Sequence, residues 1–233
     1  MRLIDNMNTK AWIAEFIGTF ALIFIGVGSV VAMGGFRNAD LVMPALAHGL
    51  TIAVMASALG AVSGGHFNPA VSIAMLVTGR MKAADCAGYI VSQILGALAG
   101  SFLLKSVLPA TELSLINQGV PALGQGVTPV QGIVIELVLT FFLVLVIFGT
   151  AVDKRAPKAG GLFIGLTVTL DILMGGPLTG GCMNPARYLG PALAGGGLSQ
   201  IAVYLTGTIA GAVLAALVYQ NIFLEDKSSE PAA

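Results

Sequence analysis

Asn-Pro-Ala occurs twice in this chain, at Asn68-Pro69-Ala70 and Asn184-Pro185-Ala186, and each copy sits in the same longer frame. The first is preceded by Ser63-Gly64-Gly65-His66-Phe67, the second by Thr179-Gly180-Gly181-Cys182-Met183. A Gly-Leu-Thr triplet opens nineteen residues ahead of each Asn, as Gly49-Leu50-Thr51 and Gly165-Leu166-Thr167. Two further pairs extend the match: Glu15 with Thr19-Phe20 against Glu136 with Thr140-Phe141, and Tyr89 with Gly96-Ala97 against Tyr204 with Gly211-Ala212. A duplication of this length requires two halves built alike that meet around something.

The medium in which they meet follows from composition. The chain is 56% hydrophobic and 9% charged, against about 25% charged for an average soluble domain. That excludes an ordinary soluble fold and points to a membrane. A net charge of zero gives no basic surface for nucleic acid. Cys86 and Cys182 show no metal-ligand spacing, and neither metal nor cofactor is expected. No nucleophile and base are paired, Ser63 and Ser72 included, so an enzyme is not expected. The segment 1–10 is short and polar, and the apolar run after it reads as a first span rather than a signal peptide.

A span needs about 20 mostly apolar residues. Six stretches qualify, near 11–33, 43–62, 83–107, 130–152, 159–176 and 199–221. Two apolar pieces, 68–78 and 184–194, are half that length and follow the Asn-Pro-Ala sites. Asn caps helix N-termini and Pro suits the first helical position, so each piece reads as a short helix that starts inside the membrane. With the N-terminus inside, Arg2, Lys10, Arg80, Lys82, Lys154, Arg155, Lys158 and Lys227 face the cytoplasm, and only Arg37 and Lys105 face out. Three spans per half is odd, so the halves enter from opposite sides. The expected fold is all-α and integral to the membrane, with six transmembrane helices plus two half-helices in an inverted-topology repeat. It is expected to form one domain over 1–233, with repeats about 11–107 and 130–221 and a polar tail at 225–233. Irregular backbone at that depth needs burial in protein or a wet cavity, and a pore or binding site follows.

These features resemble the aquaporin, or major intrinsic protein, family over nearly the whole chain. Arg187 directly after the second motif and Gly190-Pro191-Ala192 beyond it add to the likeness. The resemblance implies a homotetramer of independently conducting bundles in membrane lipid, each with a passive pore for water or small neutral solutes. Asn68 and Asn184, with Pro69, Ala70, Pro185 and Ala186, would form the pore midplane. There the half-helix N-termini set a positive field against cations. The family's selectivity filter maps by spacing onto His48, Ile172, Gly181 and Arg187. Glu15 and Glu136 would brace the half-helix loops by accepting backbone N–H groups. His66 would line the cytoplasmic side or bond within its loop, Cys182 would lie near the outer mouth, and Asn117 would add a contact there. Asp171 would orient the half-helix turn or meet a neighbouring subunit.

The filter departs from the most water-selective members, with His48 in place of an aromatic residue and Ile172 in place of a histidine. It is similar to the set in some plant vacuolar-membrane aquaporins, a group associated with ammonia as well as water. Glycerol-conducting relatives usually carry Asp after the arginine, where this chain has Tyr188. Leu205 runs the other way, since water channels often have Trp there. The expected function is a passive water channel with ammonia as a further permeant. The alternatives are a glycerol- or urea-type facilitator and an ion-coupled secondary transporter. The short termini favour a cell plasma (inner) membrane over a vacuolar one, with both termini cytoplasmic.

Overall fold

A computed structural model describes residues 7–33, 40–156 and 158–224. Arg2, Arg37, Lys227 and the polar tail 225–233 lie outside the described residues. Long apolar runs in lipid must satisfy their backbone internally, which selects helix. Helices α1 (Met7–Ala32), α2 (Val42–Ser63), α4 (Ala83–Val107), α6 (Pro129–Ile147), α7 (Gly160–Thr179) and α9 (Ile201–Val218) form the bundle. All six are long and apolar enough to cross a membrane, α6 and α9 when counted with the turns that extend them to Val152 and Phe223. The short helices are α3 (Pro69–Val77), α5 (Ala110–Leu115) and α8 (Pro185–Pro191).

The polarity is turned inside out relative to a soluble bundle. Glu15, Thr19, Gln93, Glu136, Thr140 and Thr208 are fully buried, while Leu50, Val54, Phe102, Leu170 and Met174 are exposed. Thr19 and Thr140 satisfy their hydroxyls on the carbonyls of Glu15 (2.8 Å) and Glu136 (2.7 Å) one turn back. Each repeat packs its first span on its third, α1 on α4 and α6 on α9, and the halves join through α2 and α7. Gly96 and Gly211 permit the first two contacts. A Cβ on Gly96 would fall 2.3 Å from the Phe16 carbonyl, and one on Gly211 2.2 Å from that of Leu137. Close backbone approach through small residues is the usual means of packing helices in lipid.

Two helix ends differ from the sequence reading. Gly175-Gly176-Pro177 suggests a stop near 176, yet α7 continues to Thr179 and ends at Gly180 (φ 80°), whose N–H bonds the Gly176 carbonyl at 3.0 Å. Regular α8 ends at Pro191 rather than 194. A wider turn follows over Ala192–Gly196, and Lys105 Nζ from α4 donates to the Ala194 carbonyl at 2.6 Å. Lys10, Arg80, Lys82, Lys154 and Lys158 lie at or beside helix ends on one side of the bundle, termed the basic end below.

Candidate functional site

The two half-helix loops repeat one backbone conformation. Gly64, Gly65 and Phe67 have φ of 86°, 66° and 49°; Gly180, Gly181 and Met183 have 80°, 55° and 52°. Glycine adopts such angles freely, but Phe67 and Met183 do so only when surroundings hold them. The buried glutamates supply that hold. Glu15 accepts the N–H groups of His66 (3.0 Å) and Phe67 (2.6 Å), with Ser63 Oγ (2.6 Å) and Gln93 Nε2 (2.7 Å). Glu136 accepts those of Cys182 (2.9 Å) and Met183 (2.7 Å), with Thr179 Oγ1 (2.6 Å). Tyr89 and Tyr204 close each loop from the third span, donating to the carbonyls of Ser63 and Thr179, both at 2.7 Å. Neither glutamate lines the cavities described below; they stand behind the loops.

Each Asn serves both halves. Asn68 Oδ1 caps α3 through the Ala70 N–H (2.9 Å), and Asn184 Oδ1 caps α8 through those of Ala186 (2.9 Å) and Arg187 (3.2 Å). Their amides then cross over. Asn68 Nδ2 donates to the Met183 carbonyl at 2.8 Å, and Asn184 Nδ2 to that of Phe67 at 2.9 Å. This reciprocal lock between halves is absent from the sequence reading. An amide nitrogen carries two N–H groups, so each Asn keeps one beyond the lock, and both residues line a common cavity. Pro69 and Pro185 take the first helical positions and, like Ala70 and Ala186, are buried.

That cavity, of about 180 Å³, runs from Ala151, Val152 and His66 at the basic end past both Asn residues to Gly181. A second, of about 190 Å³, opens toward the other end between Asn117, Gly119 and Pro121. They share His48, Ile172 and Arg187, so the passage narrows where the expected filter residues stand. His48 Nδ1 lies 2.7 Å from the Pro44 carbonyl. A carbonyl only accepts, so Nδ1 carries the proton, and Nε2 is buried without a hydrogen-bond partner. The ring is seated against Gly26, where a Cβ would come within 2.5 Å of it. Arg187 is the one fixed charge among the residues lining either cavity. Its Nη1 donates to the Gly119 carbonyl at 2.6 Å.

Gly119 was missed in the sequence. It closes a turn in which Asn117, Gln118 and Gly119 all have positive φ (49°, 56° and 83°). The Asn-Gln-Gly run marks a turn, but nothing local aims its carbonyl at a residue 68 positions away. Asn117 itself lines the second cavity. Cys182 lines the first, with Sγ donating to the Asn184 carbonyl at 3.2 Å, deeper than the mouth expected for it. His66 lies at 3.0 Å from Ser72 Oγ and edge-on to Tyr89 at 5.2 Å. Tyr188 stacks on Tyr204 at 4.6 Å and lines neither cavity, so its bearing on solute choice is indirect. Among the described residues no cluster of three metal-ligating side chains occurs.

Asp171 lines neither cavity, and its Oδ2 is buried with no hydrogen-bond partner. A stranded buried polar atom costs about 1–3 kcal/mol, and a charged one more. Asp171→Asn removes the ionisable group at constant shape. It is expected to raise the melting temperature by roughly 2–4 °C while osmotic permeability stays within about twofold. A fall in thermal stability, read from detergent-solubilised protein, would instead assign Asp171 a partner that needs its charge.

The family model for Major intrinsic protein matches residues 3–219. Aquaporin TIP4-4 of Zea mays is 41% identical over 237 residues, covering 97% of this chain and 92% of its own length. Glycerol uptake facilitator protein-like 6 of Lactiplantibacillus plantarum is also 41% identical, over 223 residues, covering 93% and 100%. Aquaporin-4 of Mus musculus is 39% identical over 222 residues, covering 93% and 68%. The X-ray structure of the aquaglyceroporin from Plasmodium falciparum superposes with a TM-score of 0.81 over 92% of this chain and 96% of that one, at 24% identity, a likeness of fold. A lumen flanked by two half-helices, in a bundle of six spans that matches this family over residues 3–219, identifies the chain as a member of the major intrinsic protein family: an integral membrane channel, not an enzyme.

Proposed function

We propose that this channel passes water, admits ammonia as well, and sits with its basic end in the cytoplasm. The observation that carries the reading is the composition of the narrow zone. Arg187 is the sole fixed charge there, and beyond it the N-termini of α3 and α8 converge on Asn68 and Asn184. Helix N-termini carry partial positive charge, so a cation meets Arg187 and then two positive poles. A neutral molecule meets donors from the two Asn residues and pays no such penalty. An ion-coupled transporter would need acidic side chains in the passage to hold its coupling cation, and the buried glutamates stand outside it.

Ammonia enters the proposal through His48 and Ile172. An imidazole faces an aliphatic wall, so polarity is distributed over the two walls differently from a ring of aromatic, histidine and arginine, and ammonia, less strongly hydrated than water, loses less along the aliphatic side. A plasma membrane setting and a homotetramer with one pore per subunit complete the proposal. The glycerol-facilitator reading stays in view because a relative named for glycerol uptake is as similar as the plant aquaporin.

Stopped-flow shrinkage of proteoliposomes against empty ones, with an impermeant osmolyte and no ion gradient, tests the reading. Fast shrinkage with low activation energy is expected. Rates no faster than bare lipid, together with fast glycerol-driven reswelling, would replace water by a polyol. Alkalinisation of acid-loaded vesicles by external ammonium salt tests the second permeant, and an empty-vesicle rate at full water permeability would remove ammonia.

A further inference from the structure

At the basic end, three chain segments are tied together where the spans end. Asp153 follows directly on the turn Phe148–Val152 that ends the fourth span. Though on a loop, its side chain is only 6% exposed. Its Oδ1 accepts the Arg155 N–H (2.9 Å) and Nε (3.0 Å). Its Oδ2 accepts Arg155 Nη2 (2.6 Å) and the Tyr219 hydroxyl (3.0 Å). Arg155 Nη2 also donates to the Phe223 carbonyl at 2.6 Å, so the pair grips the end of the sixth span at two points. The rings of Phe148 and Tyr219 pack at 6.1 Å. The Arg80 guanidinium lies 5.1 Å over Phe148 and bonds Gln220 Oε1 and the Thr78 carbonyl, which brings in the loop after α3.

This cluster abuts the passage. Ala151 and Val152, the two residues before Asp153, line the basic-end mouth of the first cavity. The Asp153 N–H closes the turn that carries them, on the Phe148 carbonyl at 2.8 Å. A polar loop such as 153–156 has little intrinsic order, whereas a bidentate arginine–carboxylate pair with a third donor fixes geometry as well as adding energy.

We propose that Asp153 is a positioning residue for permeation: by joining Arg155 to Tyr219 and Phe223 it holds Ala151 and Val152 as the fixed wall of the basic-end mouth, and its release lets the loop intrude on the passage. The inference rests on the channel reading above. The hydrogen bonds from Arg155 keep the Asp153 carboxyl well below the usual carboxylate range. A carboxyl held low stays ionised above its ordinary value of about 3.9. Arg155 and Tyr219 are the groups that face it, so acidification to about pH 5 leaves this latch closed.

The test compares wild type, Asp153→Asn, Tyr219→Phe and the double variant in proteoliposomes, with permeability normalised to folded channel. Wild type must first exceed bare lipid; failure there defeats the channel reading and not this one. Asp153→Asn turns an NH2 toward one of its donors and is expected to lower unit permeability at least about threefold and raise the activation energy. Tyr219→Phe, which keeps the ring and loses one bond, lowers it less. The double variant falls no further than Asp153→Asn, because the tyrosine acts through that carboxylate. Limited trypsin cleavage at Lys154 to Lys158 should rise in parallel. Unit permeability of Asp153→Asn within about 1.5-fold of wild type, or additive effects of the two substitutions, would overturn the proposal. If Asp153→Asn does not fold, Tyr219→Phe with wild-type permeability and faster cleavage does the same.

Discussion

Glu136→Ala is expected to leave no conducting channel, and Glu136→Gln is expected to do nearly as much damage. The carboxylate is fully buried and accepts two backbone N–H groups and one hydroxyl. Alanine strands the N–H groups of Cys182 and Met183, at about 1–3 kcal/mol each, out of a total stability of roughly 5–15 kcal/mol. It also removes one of the bonds that hold Met183 at its positive φ. Glutamine keeps the shape but can accept on one oxygen only. Its NH2 then points at the donor that the other oxygen served, which replaces an attraction by a donor–donor contact. The loop that relaxes presents Gly181 to the first cavity and its Met183 carbonyl to Asn68, so the damage reaches both the cavity wall and the lock between the halves. Osmotic permeability is expected to fall at least tenfold for alanine, with a lower melting temperature in detergent. Wild-type permeability in Glu136→Gln would mean that the loop keeps its form without the carboxylate.

The same residues explain what the sequence made legible. Glu15 with Glu136 and Tyr89 with Tyr204 were visible as repeated pairs because each acts within its own half, at a fixed offset from its own loop. Their partners in the structure are the loop N–H groups and the carbonyls of Ser63 and Thr179. His48, Ile172, Gly181 and Arg187 came instead from the family resemblance, matched by their spacing to the two motifs. The Asn68–Met183 and Asn184–Phe67 bonds join different halves, and a repeat describes each half without saying how they touch. Gly119 and Asp153 lie outside the duplicated frames, in loops whose register no periodicity sets. Helix α7 runs past Gly175-Gly176-Pro177 to Thr179 because neighbours in the bundle restore the bonds that Gly and Pro cost a helix. Asp171 was noticed as an ionisable residue in a span, and the structure gives its position without giving it a partner.

Arg187→Leu is expected to turn a filter that repels cations into one that admits them. The guanidinium is the only fixed charge lining the passage, and it ties down the Gly119 carbonyl at 2.6 Å. Two changes therefore act in one direction. A unit charge about 4 Å from a permeating cation, at an effective dielectric constant near 20, opposes it by about 4 kcal/mol; losing it lowers that part of the barrier by roughly a thousandfold. The Gly119 carbonyl, no longer spent on arginine, becomes an acceptor for a cation to lean on. The positive poles of α3 and α8 remain, so flux rises by less than the filter term alone. At least a tenfold increase in proton or methylammonium flux is expected, read by an internal pH dye under an imposed diffusion potential. Water permeability should stay within about threefold, since leucine shortens the side chain and opens the same space. The two readouts separate the alternatives. If cation flux stays at the wild-type level while water still passes, exclusion resides in the half-helix poles and Asn68 and Asn184, and Arg187 serves to shape the mouth. If both fluxes vanish, the arginine holds the loop at Gly119 in place, and its charge is secondary to that bond.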